Sequence, residues 1–185
     1  MQLSRSDPQT GERTAFAGFV YACQFLYGGW FLFHGLNYWF EFYFDRSIQP
    51  GPGLVPALAE SGVMAMVKAL EVVIGLALLL DLFAALAVVA AWPITLMIAF
   101  VTASHGRPFG MGVAAVIIAL NAIMSLGYLD RYRPMLVWSA GPPGGTIASS
   151  VPASARLRPT THGIAALAGT AAAIGITYLT VYLRS

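Results

Sequence analysis

The chain has 185 residues, of which 58% are hydrophobic and only 10% are charged. Because a soluble domain carries about 25% charged residues, this composition excludes an ordinary water-facing globule and predicts an integral membrane protein. Strands of a membrane β-barrel alternate apolar and polar residues, and no such alternation occurs here, so we predict an all-α membrane helical bundle. The formal net charge of +2 gives no indication of a nucleic-acid partner.

Residues 1–14 are polar, and we predict a short N-terminal tail there. The apolar run that follows, residues 15–44, would form a helix about 45 Å long, whereas the hydrocarbon core of a bilayer is about 30 Å thick. Tyr38, Trp39 and Tyr43 suit an interfacial aromatic belt. The end of this first helix should therefore emerge from the hydrocarbon.

A connector with three prolines and two glycines follows at residues 45–61. It should contain a short interfacial piece around residues 54–59. The next apolar stretch is too long for one span, so we predict two helices, at about 62–80 and 82–103. Asp81 lies at the reversal between them, where a carboxylate can reach headgroup water and cap the next helix. We expect Pro93 to kink the third helix.

The fourth helix is predicted at about 111–129, after a polar turn, and completes a four-helix core over residues 15–131. Residues 132–160 are rich in Gly, Pro and Ser and form a connector. A fifth transmembrane helix is predicted within residues 161–185, at about 162–183. Ala165, Gly169 and Ala173 recur every fourth residue there, which is typical of a close helix-packing face.

Arginines indicate the orientation of the bundle. With the N-terminus on the cytoplasmic side, the inner segments hold more arginines than the outer ones, as the positive-inside rule requires. The inner arginines are Arg5, Arg13, Arg131, Arg133, Arg156 and Arg158, and the outer ones are Arg46, Arg107 and Arg184. Five spans then place the C-terminus outside.

Several polar side chains fall inside the predicted spans, mostly in the outer half of the bundle. Spacing puts three on one side of the first helix, two as an i, i+3 pair on the second, and one near the middle of the fourth. Intramembrane polar groups usually face the bundle interior and often mark functional sites. The candidate binding residues are His34, Asn37, Glu41, Lys68, Glu71 and Asn121.

Each candidate also has a purely structural interpretation. Lys68 and Glu71 could simply neutralise each other, and Glu41 could lie in headgroup water. His34 could be a hydrogen-bonded core histidine, and Asn121 could bridge two helices. As a site, the group could hydrogen-bond a quinone carbonyl and pass protons to it, with aromatic side chains holding the flat ring.

Other chemistries fit the sequence less well. Cys23 is the only cysteine, so the chain alone cannot carry out dithiol–disulfide chemistry, and we expect this thiol to be buried. His34, Glu41, Glu71 and His105 could offer nitrogen and oxygen ligands, but no tight metal-binding spacing occurs, and we predict no metal site. The sequence gives even less support to haem ligation by His34 and His105, because His105 falls in a turn.

Two stretches resemble a known family. Glu71 opens an E-x-x-x-G-L-x-L-L-L sequence that contains Gly75 and precedes the reversal, and "LNAIMSLGYLDRY" ends near Leu129 and Asp130. Together with "FLFHGLNYWF" in the first helix, these stretches resemble the DoxX-like integral membrane proteins over residues 15–131. The resemblance implies a four-helix membrane core. It also implies kinship with small subunits of a quinol oxidase and of a thiosulfate:quinone oxidoreductase.

The long connector and the fifth helix depart from that family pattern. We therefore carry two hypotheses for a bacterial inner-membrane protein. The first is a small subunit or partner of a quinone-linked redox system, with quinone as the possible cofactor. The second is a non-catalytic accessory subunit that docks with other membrane protein subunits. A transporter is the least favoured class, because the sequence contains no inverted repeat.

Overall fold

The computed structural model describes residues 8–43, 53–104, 108–136 and 159–183, with side chains for 16–43, 53–104, 108–132 and 159–183. These residues form seven helices: α1 (Pro8–Phe40), α2 (Leu54–Glu60), α3 (Val63–Leu79), α4 (Ala84–Ser104), α5 (Pro108–Gly127), α6 (Leu129–Leu136) and α7 (Pro159–Tyr182). The all-α class is confirmed. His105 and most of the predicted 132–160 connector lie outside the described residues.

Four helices, α1, α4, α5 and α7, are long and apolar enough to cross a bilayer. The short α2 joins α3 at a bend of 94°, which is the geometry of a broken span or of a re-entrant loop, and the number of spans rises to five if the pair is one span. With 17 residues, α3 is about 25 Å long, slightly less than the hydrocarbon thickness. The chain is therefore a multi-pass membrane protein that lies in a lipid bilayer.

The four later spans begin and end within three residues of their predicted limits, whereas the first helix differs at both ends. It starts at Pro8, inside the predicted tail, because proline is well suited to a first helical position. It ends at Phe40 because Glu41 adopts a left-handed backbone with φ of 49°. Residues 41–43 therefore lie beyond the helix, and residue 44 lies outside the described residues.

Asp81 lies at the predicted reversal, but the expected cap is wrong. Asp81 and Phe83 both have φ of 53°, so the turn continues to Phe83 and α4 begins at Ala84. The Asp81 carboxylate instead accepts a hydrogen bond of 3.2 Å from Nε2 of Gln24. We call this end of the bundle the reversal end, and the opposite end, where α1 finishes, the Tyr43 end.

Helix α1 is the centre of the bundle and packs against α3, α5 and α7. It lies close to α3 at Gly75, where a β-carbon would lie 2.6 Å from the backbone nitrogen of Leu32. Helices α4 and α5 form an antiparallel hairpin that closes the core beside α1 and α3. Ala84, Ala87 and Ala91 are buried there, which agrees with the close contact expected of small residues.

The small-residue face of α7 is confirmed as a packing face, and it packs against α1. A β-carbon on Gly169 would lie 2.6 Å from Cβ of Phe25, and one on Gly29 would lie 2.5 Å from Cα of Thr170. Ala173 is buried on the same face. Because α7 runs parallel to α1, its last turns reach the Tyr43 end.

Candidate functional site

The turn after α1 brings Tyr43 back over the end of the helix. Asn37 is buried and holds this turn with two hydrogen bonds, from Tyr43 N to Asn37 Oδ1 at 2.9 Å and from Asn37 Nδ2 to Tyr43 O at 3.2 Å. The returning side chain places its hydroxyl 2.7 Å from Nδ1 of His34. Asn37 therefore positions Tyr43, and Tyr43 in turn fixes the ring of His34.

The other ring nitrogen of His34 reaches α7. Nε2 lies 3.1 Å from Oγ1 of Thr177, and that hydroxyl donates its own hydrogen to the carbonyl of Ala173 at 2.9 Å. Since the Thr177 hydrogen is engaged, Thr177 accepts from His34. In the neutral ring the proton is then on Nε2, and Nδ1 accepts from the Tyr43 hydroxyl. His34 therefore faces α7.

Glu41 does not share the helix face of His34 and Asn37, so that part of the prediction is wrong. The helix ends one residue earlier, and the positive φ of Glu41 turns its side chain outward into an exposed position. An exposed carboxylate at the Tyr43 end suits the membrane interface. This agrees with the structural interpretation, in which Glu41 lies in headgroup water.

Lys68 and Glu71 form the predicted pair. The ammonium group donates to both carboxylate oxygens, at 3.0 and 2.9 Å. The Glu71 side chain is 4% exposed and that of Lys68 16% exposed. A carboxylate buried this deeply needs its cation, since an isolated charge in a low-dielectric interior is very costly.

Asn121 lies fully buried on the core face of α5, within a small polar cluster. Its Nδ2 donates to Oγ1 of Thr95 at 3.2 Å, and the Tyr27 hydroxyl lies 2.6 Å from the same atom. The Oδ1 atom of Asn121 is buried and has no hydrogen-bond partner among the described residues.

The six predicted residues are thus held by different sets of helices. His34 and Asn37 belong with Tyr43 and Thr177 at the junction of α1 and α7. Asn121 belongs with Tyr27 and Thr95 in the core between α1, α4 and α5. Glu71 pairs with Lys68 along α3. Glu41 is exposed at the Tyr43 end.

A groove of about 450 Å³ opens between α5 and α7, with α1 as its floor. Its walls are apolar apart from Thr180, and its volume falls within the range of about 300–1,000 Å³ usual for ligand sites. The floor residue Trp30 contacts the edge of the His34 ring, with centroids 4.7 Å apart. Representative lining residues are Leu26, Trp30, Val113, Val116, Ile176 and Thr180.

Trp30 has an unusual position in this groove. It is only partly buried, and its indole N–H has no acceptor in the part of the chain that the structure describes. Tryptophan N–H groups in apolar surroundings usually find a partner. Trp30 therefore lines the groove with an aromatic side chain whose indole N–H has no acceptor among the described residues.

A second polar group, at the reversal end, was not predicted as a cluster. Gln24 is fully buried; it donates to the carbonyl of Leu78 at 2.7 Å and accepts from the Tyr128 hydroxyl. Nearby, the Tyr132 hydroxyl of α6 donates to the carbonyl of Ala85 at 2.7 Å, and burial raises the pKa of Tyr132. These bonds tie the ends of α3, α4 and α5 together.

Among the described residues, no group of three or more His, Cys, Asp or Glu side chains could hold a metal ion. Comparison with protein-family models, curated proteins and solved structures gave no match for this chain. The resemblance to DoxX-like proteins accordingly stays a prediction from the sequence.

Proposed function

We propose that this protein binds a lipid-soluble quinone in the groove between α5 and α7. It would do so as a DoxX-like small subunit or partner of a quinone-linked redox system. Its expected place is the bacterial inner membrane, with the N-terminus cytoplasmic. The observation that carries the proposal is Trp30, which lines an apolar groove and whose indole N–H has no acceptor among the described residues.

The chemistry of the groove favours a flat ring that bears a carbonyl oxygen. An apolar cleft with a few fixed polar groups is the usual form of a site for a lipophilic ligand. The Trp30 indole can stack on a ring or donate to a carbonyl, and its edge contact with His34 joins the groove to the hydrogen-bonded unit of His34, Tyr43 and Thr177. Replacing His34 by Ala should weaken quinone-dependent electron transfer in a folded protein.

Fluorescence of the purified protein in nanodiscs tests binding directly, with decylubiquinone as the quenching probe. We expect saturable quenching that disappears in Trp30→Phe and persists in Trp39→Phe, since Trp39 is exposed at the end of α1. Quenching that rises linearly with probe and is the same in both variants would contradict a site at Trp30.

Two glycines supply a matched test of the groove itself. Gly112 lines the groove and Gly175 lies on α7 outside its lining, and a β-carbon on either meets no atom within 4 Å. Gly112→Leu should fill the groove and weaken quinone binding by tenfold or more, whereas Gly175→Leu should bind normally. Equal binding by the two variants would exclude the groove as the site.

The accessory-subunit hypothesis remains the second proposal, and the packing of α1 refines it. Because α1 is covered by α3, α5 and α7, a docked partner would contact the outer face of α7, where Ile164 and Leu167 are exposed. Deleting residues 162–185 should then abolish copurification of that partner. Retained assembly after the deletion would exclude α7 as the docking helix.

A further inference from the structure

The first half of α7 is held tightly against the rest of the bundle. Nε2 of His162 lies 2.9 Å from the carbonyl oxygen of Leu79, and the same ring contacts that of Phe25 with centroids 5.0 Å apart. One turn further along α1, a β-carbon on Gly29 would lie 2.5 Å from Cα of Thr170. Because the two backbones touch at this point, α7 cannot shift there without moving α1.

Beyond Thr170, α7 has an open cleft on each flank. One is the groove beside α5, and the other is a cleft of about 320 Å³ between α7, α1 and the turn after α1. Helical spacing puts a different row of α7 side chains beside each cleft. The row in the groove is Ala173, Ile176 and Thr180, and the row in the second cleft is Thr170, Ile174 and Tyr178. This half of α7 therefore has space to move sideways, from the groove toward the second cleft.

The turn after α1 holds the second half of α7 at two points. Tyr43 fixes the ring of His34, which bonds to Oγ1 of Thr177. The hydroxyl of Tyr178 donates to the carbonyl of Phe42 at 3.3 Å. Two adjacent residues of the turn are thus connected to two adjacent residues of α7. We call this pair of connections the latch.

The bonds of the latch are of a kind that can break and re-form. They join neutral groups, and such a hydrogen bond adds little net stability. The turn that carries them begins at Glu41, whose φ of 49° is uncommon for a residue with a side chain. The close contact of Gly29 with Thr170, in contrast, depends on backbone packing and persists when the latch is broken.

We propose that the half of α7 after Thr170 is a movable wall of the groove, with its hinge at the contact with Gly29 and the latch as its closing device. When the latch breaks, this half moves toward the second cleft and the groove beside α5 widens. The motion admits and releases a bulky ligand. This use of the motion depends on the proposed quinone site, whereas the motion itself needs no ligand.

Double electron–electron resonance on the protein in nanodiscs, without quinone, tests the motion. Spin labels at Met111 of α5 and Leu179 of α7 form the outward pair, since both positions are exposed at the Tyr43 end. Labels at Leu126 of α5 and Leu167 of α7, exposed toward the reversal end, form the reference pair. The background is Cys23→Ala, because Cys23 is the only other thiol.

Both pairs should give narrow distance distributions in the latched protein. Tyr43→Phe combined with Tyr178→Phe removes both hydroxyls of the latch, and the outward distance should then broaden and shift to longer values. The reference distance should stay narrow, which also shows that the variant is folded. Tyr38→Phe is the matched control and should alter neither distance. Adding Ile174→Phe to the latch variant should fill the second cleft and restore the narrow outward distribution.

Three results would overturn the proposal. An outward distance that is unchanged in the latch variant would exclude the latch, and equal broadening of both pairs would exclude a hinge at Gly29. A broad outward distance that persists with Ile174→Phe would exclude movement into the second cleft. Since no quinone is present, these outcomes do not depend on whether decylubiquinone binds, and the two proposals can fail separately.

Discussion

The hydroxyl of Tyr43 lies 2.7 Å from Nδ1 of His34, although Tyr43 belongs to the turn beyond the end of α1. Asn37 makes this contact possible by holding the backbone of Tyr43 with both ends of its amide. The three residues form one unit in which each fixes the next. Through Thr177 the unit also joins the first and last spans of the bundle.

Replacing Tyr43 by Phe should allow the proton of the neutral His34 ring to occupy either nitrogen. Without the Tyr43 donor, Nδ1 loses the bond that favours the Nε2–H form, and nitrogen-15 shifts of the labelled His34 ring should move toward a mixture of tautomers. Loss of one hydrogen bond should lower the free energy of unfolding by about 0.5–1.5 kcal/mol. Tyr38→Phe is the control, and an unchanged His34 spectrum in Tyr43→Phe would contradict the assignment.

Removing Lys68 alone should be more damaging than removing the whole pair. Lys68→Met leaves the buried Glu71 carboxylate without its cation and should cost about 3–5 kcal/mol of unfolding free energy. The double variant Lys68→Met with Glu71→Gln should recover most of that loss, because no buried charge remains. Thermal unfolding of the unaltered protein, the single variant and the double variant in the same detergent measures these differences in stability. Equal stability of the single and double variants would show that Glu71 is solvated.

Enlarging Gly169 should separate α7 from α1. A side chain there would meet Cβ and the backbone of Phe25, which cannot move without shifting α1. We expect Gly169→Leu to lower the unfolding temperature and to abolish quinone binding, since α7 forms one wall of the groove. Gly175→Leu, on the open side of the same helix, should change neither. A normal unfolding temperature in Gly169→Leu would refute this close packing.

The polar group formed by Tyr27, Thr95 and Asn121 predicts effects of different size for two substitutions. Asn121→Leu removes an acceptor that is already unsatisfied, so stability should change by less than about 1 kcal/mol. Thr95→Val leaves the Tyr27 hydroxyl and the Asn121 amide without their acceptor and should cost about 1–3 kcal/mol for each group. Chemical denaturation distinguishes the two. A large loss in Asn121→Leu would mean that the amide is fully bonded.

The hydropathy of the sequence was sufficient to predict the spans, because long apolar runs in a membrane have few alternatives to helices. The pair of Lys68 and Glu71 was also predictable, since both lie on one helix at a spacing of three. The contact between His34 and Thr177 was not predictable, because the two residues are 143 positions apart and no local pattern joins α1 to α7. Glu41 was misplaced because a helical wheel was extended one residue past the true end of α1.

The contact between α1 and α7 also constrains how the protein is made. Because α1 is synthesised before α7, the side of α1 that bears Phe25 and Gly29 stays open to lipid until α7 enters the membrane. Among the described helices, α7 covers that side and forms the second wall of the groove. A chain released before residue 159 would enter the membrane with this side of its central helix uncovered.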